Sequence, residues 1–232
     1  MKPTEDIRYR HELKYLISTA QMRLLQARIA GLIPKDPYVT ASGGYTIRSL
    51  YFDDSHNRAY YENENGTDPR EKFRIRIYNA SSKKIKLECK RKERTKTHKT
   101  ACNLTKEQTL LLMQGKCVPD IASQPPLLRK LTNEMRTHQL KPVVIVEYER
   151  IPHIYKLGNV RVTFDTNIAS SSSLTDFLEP QIPKRQILPT GMHLMEVKFD
   201  DFLPDFIYRA LMLDSLRQTA FSKYYLCRKY SL

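Results

Sequence analysis

Residues 72–78 read KFRIRIY. Lys72, Arg74, Arg76 and Tyr78 alternate with Phe73, Ile75 and Ile77. That period of two predicts a β-strand with one apolar face and one cationic face. Same-face neighbours on a strand lie roughly 7 Å apart. Like charges at that separation repel by about 2 kcal/mol at an effective dielectric of about 20. The cationic face is therefore either a solvated outer wall or a surface that holds an anion.

The same pattern recurs along the chain. Residues 7–16 place Arg8, Arg10, Glu12 and Lys14 on one face, and 83–92 place Lys84, Lys86, Glu88, Lys90 and Lys92 opposite Ile85, Leu87 and Cys89. In 159–166, Arg161, Thr163 and Asp165 oppose Val160, Val162 and Phe164; in 193–199, Glu196 and Lys198 oppose Met195, Val197 and Phe199. Tyr148 and Arg150 share a face of 143–150. One such face is ordinarily the wet side of an antiparallel sheet. A set dominated by cations is harder to explain that way, because solvated faces commonly mix signs to relieve repulsion.

Composition agrees. The 232 residues carry 39 Lys and Arg against 25 Asp and Glu, a net charge of +14, which favours anionic partners. Hydrophobic residues make up 41%, enough for a core. No apolar run reaches membrane-spanning length, and the charged start MKPTEDIRYRHELKYLI has no signal-peptide core, so a cytoplasmic protein is expected. The four cysteines form no C-x-x-C pair and read as reduced packing residues. Seven glycines supply no phosphate-binding loop.

Ser18 with Gln21 opens a helix over 19–33, and Thr105 with Gln108 opens another that ends near Gly115. Further helices are expected over 126–140 and from Pro204 to Gln218, and a further strand over 45–53. The turn-like NASS joins 72–78 to 83–92 as a hairpin; 169–190 reads as a loop, and FSKYYLCRKY as a strand or a helical end. Strands follow one another without intervening helices, so the expected class is α+β with an antiparallel sheet of about eight strands in one domain over 1–232. If the helices cover the apolar outer face of a closed sheet, the charged faces line a lumen. A barrel of about eight strands has room for side chains and one small ligand. Each charge-assisted bond from such a wall to phosphate contributes roughly 1.5–3 kcal/mol. Glu12, Glu88 and Glu196 would then either hold the cations in place or bind Mg²⁺ or Mn²⁺ shared with phosphate oxygens.

The ordered motifs RYRHELKY, SLYFDD, KFRIRIY, KLECKRK, VEYER, VRVTFDT, MEVKF and FSKYYL resemble the VTC domain, the polyphosphate polymerase domain of the triphosphate tunnel metalloenzyme superfamily, over about residues 7–230. The resemblance implies an eight-stranded antiparallel tunnel barrel with a basic lumen flanked by helices. It also implies Mn²⁺ or Mg²⁺ as cofactor and ATP, triphosphate or polyphosphate as ligand. Lys14, Arg74, Arg76, Lys90, Arg161 and Lys223 match its phosphate-handling cations, and Glu196 its metal ligand, with Lys198 beside it. Tyr148 and Arg150 match its Y-x-R strand, and Ser222 pairs with Lys223 at the tunnel mouth. Lys92, a substrate-binding candidate, stands where the polymerase pattern has histidine. Arg10 replaces the first glutamate of the E-x-E-x-K signature of the hydrolytic CYTH branch. That departure favours the VTC branch. The neighbouring phosphate-sensing and membrane domains of the eukaryotic complex have no counterpart in these residues, so a stand-alone version of the domain is expected.

Four activities follow as alternatives: polyphosphate polymerase, triphosphate hydrolase on the same scaffold, non-catalytic polyphosphate or nucleotide binder, and nucleic-acid binder. Against the last, the cations alternate on strands and no RNA-binding aromatic motif or helix-turn-helix is present. The oligomeric state is left open.

Overall fold

The computed structural model describes residues 10–40, 43–94, 96–213 and 215–230. In chain order the elements are β1 (His11–Ser18), α1 (Thr19–Ile29), β2 (Tyr45–Asp53), α2 (Arg58–Glu64), β3 (Arg70–Tyr78), β4 (Ser81–Glu93), β5 (Lys96–Leu104), α3 (Lys106–Met113) and α4 (Pro126–Thr137), followed by β6 (Lys141–Tyr155), β7 (Val160–Ser171), β8 (Arg185–Gln186), β9 (Met192–Phe199), α5 (Asp205–Leu211) and α6 (Lys223–Lys229). Arg8 and the start of the expected first strand lie outside the described residues.

The strands form one sheet in the order β1-β9-β7-β6-β2-β3-β4-β5, with β8 paired to β7. Every pairing is antiparallel. The hydrogen-bonded ladder does not join β1 to β5. Side chains bridge the two ends instead: Glu12 on β1 lies 3.0 Å from Lys90 on β4. That contact between strands distant in the ladder shows that the sheet curls round on itself.

The apolar faces pack outward, under helices. Phe73, Ile75 and Ile77 pack with Ile85, Leu87 and Cys89 under Leu112 of α3 and Leu127, Leu128, Leu131 and Met135 of α4. Val160, Val162, Phe164, Met195 and Val197 pack under Leu25 and Ile29 of α1 and Ile207 and Leu211 of α5. Helices thus cover the outside of the sheet, and side-chain alternation turns the charged faces inward. A third cluster of Ile47, Tyr51, Val144, Val146, Tyr148, Leu194, Phe221, Tyr224 and Cys227 shows α6 packed against the inner surface.

Both capping boxes form. Ser18 and Thr105 each accept from the backbone N–H three residues on, and Gln21 and Gln108 reach back. Several boundaries differ from expectation. The first helix stops at Ile29, and the helix begun at Pro204 stops at Leu211. Of the two readings of the C-terminal segment, the helical one holds: Ser222 caps α6 by accepting from the Tyr225 N–H at 3.3 Å. β5 was not expected: KTHKTACNL is too polar to advertise an apolar face, and it is an edge strand. Nor was α2, whose cap is non-local. The Asp53 carboxylate accepts from Ala59 N at 2.8 Å and Tyr60 N at 3.1 Å. The expected loop at 169–190 contains the end of β7 and the short β8.

Candidate functional site

A cavity of about 710 Å³ lies inside the curled sheet, walled by side chains of β1, β2, β3, β4, β5, β6, β9, α2 and α6. Eleven of its lining residues are Lys or Arg and three are glutamates. Lys14, Arg74, Arg76, Lys90, Lys92, Tyr148, Arg150, Glu196, Lys198, Ser222 and Lys223 all line it. Arg161 is not among the lining residues: it donates to Asp36 Oδ2 at 3.0 Å and to the Tyr45 hydroxyl at 2.7 Å.

The centre is a buried network of alternating charge. Arg150 donates from Nε and Nη2 to both oxygens of Asp165, at 2.6 and 2.7 Å, a bidentate pair. Its Nη2 also reaches Glu196 Oε2 at 3.2 Å. Lys223 Nζ lies 2.6 Å from Asp165 Oδ2 and 2.8 Å from Glu196 Oε1, and 4.8 Å from the centre of the Tyr148 ring. Lys198 Nζ sits between Glu196 Oε2 at 3.3 Å and Glu12 Oε1 at 3.2 Å. Lys90 holds the other Glu12 oxygen at 3.0 Å.

These partners set the charges. Burial pushes the Glu196 carboxyl up, but Lys223, Lys198 and Arg150 outweigh it and hold the group well below the usual carboxylate range. Burial likewise opposes Glu12, and Lys198 and Lys90 overcome it to keep the carboxylate ionised. Burial lowers the Lys14 ammonium despite Glu12 and Glu196. Lys223 goes the other way: burial would lower it, and Asp165 and Glu196 raise it above the ordinary lysine value.

On β3 and β4 a second carboxylate organises the arginines. Glu88 is 1% exposed. It accepts from Arg74 Nε at 2.8 Å and lies 3.9 Å from Arg76 Nη1, while Lys99 reaches it from β5. Arg74 also donates to the Tyr51 hydroxyl at 2.8 Å, and Arg76 to Ser49 Oγ at 3.1 Å. The paired arginines are thus held at fixed points in the wall.

The cavity-wall and network residues outside the candidate set include Asp165, Arg70 and Lys72. Asp165 was visible on a charged face, but only the fold shows that it binds Arg150 and Lys223. Arg70 and Lys72 continue the alternation of Arg74 and Arg76, and that spacing was a sufficient signal.

For a metal, the chemistry of the donor set decides. No group of three or more His, Cys, Asp or Glu side chains fit for a metal exists among the described residues. Glu12 and Glu196 are two ionised carboxylates flanking one lysine. A magnesium-like ion at a phosphate site takes one or two carboxylates and completes its shell from phosphate oxygens and water. All four oxygens of the pair already face ammonium or guanidinium groups, with Lys198 between the two carboxylates, so the pair makes no all-protein cage and would take an ion only together with substrate oxygens.

The described residues thus form a curled antiparallel sheet with a cation-walled interior and an outer coat of helices. The family model described as "VTC domain" matches residues 9–232, and the chain belongs to that family. Among curated proteins none matches significantly. Solved structures similar to it include a Bacillus halodurans protein described as a candidate adenylate cyclase, at 15% identity, TM-score 0.48, covering 88% of this chain and 85% of that one. Another is the PH1012 protein of Pyrococcus horikoshii, at 13% identity and TM-score 0.45, covering 89% and 92%. The Mimivirus capping enzyme triphosphatase aligns at 12% identity and TM-score 0.37, covering 84% and 82%. No helix among the described residues is long and apolar enough to cross a membrane.

Proposed function

We propose that the protein is a metal-dependent phosphotransferase that moves the γ-phosphoryl group of ATP onto a polyphosphate chain inside the cavity. The observation that carries this reading is the eleven-to-three excess of cations over carboxylates among the residues lining the cavity, on a chain of the VTC family. Such a wall is unfavourable without an anion, and a phosphate chain supplies charge at every unit. The paired arginines, Lys14, Lys90, Lys198 and Lys223 would hold phosphoryl groups. Arg161 stands outside the lining, so a role in substrate contact would require its release from Asp36 and Tyr45.

Phosphoryl transfer asks little covalent chemistry of a protein; positioning and charge neutralisation carry most of it. A terminal phosphate oxygen of the chain attacks the γ-phosphorus, the bond from that phosphorus to the bridging oxygen breaks, and ADP leaves with the electron pair. Arg74 and Arg76, fixed by Glu88, Tyr51 and Ser49, suit equatorial phosphoryl oxygens. Lys223, kept protonated by Asp165 and Glu196, suits the charge that develops in transfer. Glu196 and Glu12 would hold Mg²⁺ or Mn²⁺ together with substrate oxygens, and the ion would neutralise charge on the transferring group.

Glu196→Gln tests the assignment. Turnover is expected to disappear while triphosphate binding persists, because the surrounding cations remain. Full activity in that variant sinks the role given to Glu196.

A further inference from the structure

A second cavity, of about 160 Å³, lies on the outer side of the sheet, where α2 and α4 cover the start of β3. Phe52, Phe73 and Leu140, all buried in the outer core, give it an apolar floor. A cavity of about 150 Å³ holds a benzene ring, so this one suits a molecule of about six to ten non-hydrogen atoms.

The walls carry four carboxylates and three guanidinium groups. Five of these seven are already matched. Arg58 Nη2 donates to Glu134 Oε2 at 3.0 Å, and Arg91 Nη1 lies 3.5 Å from Glu71 Oε1. Asp53 accepts from three backbone N–H groups and from the Tyr224 hydroxyl. Glu62 and Arg70 remain. Both line the cavity, and among the described residues neither has an oppositely charged side chain in salt-bridge range. Arg70 donates to a backbone group instead, the Thr67 carbonyl at 2.9 Å.

Two opposite charges that line one cavity and do not meet call for a ligand that spans them. A net anion would lie against Glu62 and Asp53, and a net cation against Arg70, so the nearly balanced wall rewards neither. We infer that this cavity binds a small zwitterion of the α-amino acid type, with its carboxylate on Arg70, its ammonium on Glu62 and an apolar side chain over Phe52, Phe73 and Leu140. Charge-assisted bonds at both ends fix its direction. Burial pushes the Glu62 carboxyl up, and Asp53 and Asp54 add to this against Arg58 and Lys72, so an arriving ammonium stabilises the ionised form. Arg70 also lines the large cavity. The zwitterion therefore draws on a guanidinium that the inner wall shares, which makes the outer cavity an effector site; this last step alone rests on the reading under Proposed function.

The test is calorimetric titration of the full chain with L-leucine, with isocaproate, which lacks the amine, and with isoamylamine, which lacks the carboxylate. Leucine should bind, and each one-charge analogue about 10-fold more weakly. Arg70→Gln should weaken leucine about 10-fold and leave isoamylamine unchanged. Glu62→Gln should weaken leucine by about as much and leave isocaproate unchanged. The unliganded Glu62→Gln chain should melt no lower than wild type, since its carboxylate has no cationic partner to lose. Isocaproate or isoamylamine binding as tightly as leucine overturns the zwitterion. No binding of leucine, valine or alanine at millimolar concentration overturns the site and leaves a hydrated gap. Saturating triphosphate should weaken leucine binding several-fold, and by linkage the reverse. Leucine affinity that bound triphosphate does not alter overturns the effector role. Triphosphate that fails to bind overturns the proposed function and leaves the amino-acid site standing.

Discussion

Glu88→Gln isolates the part of the wall that is held together from within. The Glu88 carboxylate is 1% exposed and serves three cations: Arg74 through Nε at 2.8 Å and Nη2 at 2.7 Å, Arg76 at 3.9 Å, and Lys99. Removing one member of a buried ion network costs about 3–5 kcal/mol, because the remaining charges are left uncompensated. Glutamine keeps the volume and one acceptor oxygen, which places the loss near the lower end, about 3 kcal/mol. For a chain of this length that is a fall in melting temperature of about 6–12 °C. Triphosphate should raise the melting temperature of the variant more than that of wild type, since the anion replaces the missing charge. The pH dependence has a definite sign. Burial raises the Glu88 carboxyl, but Arg74, Arg76 and Lys99 overcome it and hold the group far below its ordinary value of 4.5. Its contribution is therefore complete above that value and is lost only as pH falls through the depressed one. The gap between wild type and variant should be flat between about pH 5 and 8. Differential scanning fluorimetry with and without triphosphate measures all of this. A variant that melts within about 1 °C of wild type, with the same response to triphosphate, would refute the idea that Glu88 neutralises the arginine pair.

Two further predictions concern the supports of the site. Asp53 accepts from the backbone N–H groups of Asp54, Ala59 and Tyr60 and from the Tyr224 hydroxyl, so it joins α2 to α6 next to Ser222 and Lys223. Asp53→Asn is expected to lose about 1–3 kcal/mol in denaturant unfolding and also to weaken triphosphate binding; a stability loss with unchanged affinity breaks the link to Lys223. His153 is 3% exposed, and burial lowers its pKa from 6.5 despite the Ile33 carbonyl. The unfolded chain therefore takes up a proton that the folded chain resists, and stability should decline as pH falls below about 6.5. His153→Leu should flatten that decline in melting temperature; an unaltered slope assigns it to other groups.

Much of this architecture was legible because the chain repeats one signal. Phe73, Ile75 and Ile77 against Lys72, Arg74 and Arg76 is a period of two, and the same alternation in 83–92, 159–166 and 193–199 marked four strands of one sheet. The excess of lysine and arginine indicated which face turned inward, once the helices were assigned to the apolar side. What escaped was non-local. β5 is a polar edge strand whose partner is β4 and whose Lys99 matters only through Glu88. α2 has its cap five residues before its first turn, in Asp53. Asp165 looked like one acid on a mixed face until folding set it between Arg150 and Lys223. Arg161 shares the strand period of that face, yet Asp36 and Tyr45, distant in sequence, draw its guanidinium out of the lining. Period and charge announce a wall; they do not say which side chains it pairs together.

The central claim is transfer of a phosphoryl group from ATP to a growing chain. The most direct measurement incubates the purified protein with ATP and Mn²⁺, with and without a short polyphosphate primer. The products are resolved by chain length on a gel, with free phosphate assayed in parallel. The account predicts a ladder of lengthening chains that depends on the metal and disappears in Glu196→Gln. Release of free phosphate with no ladder would contradict it and make the cavity the site of a hydrolase.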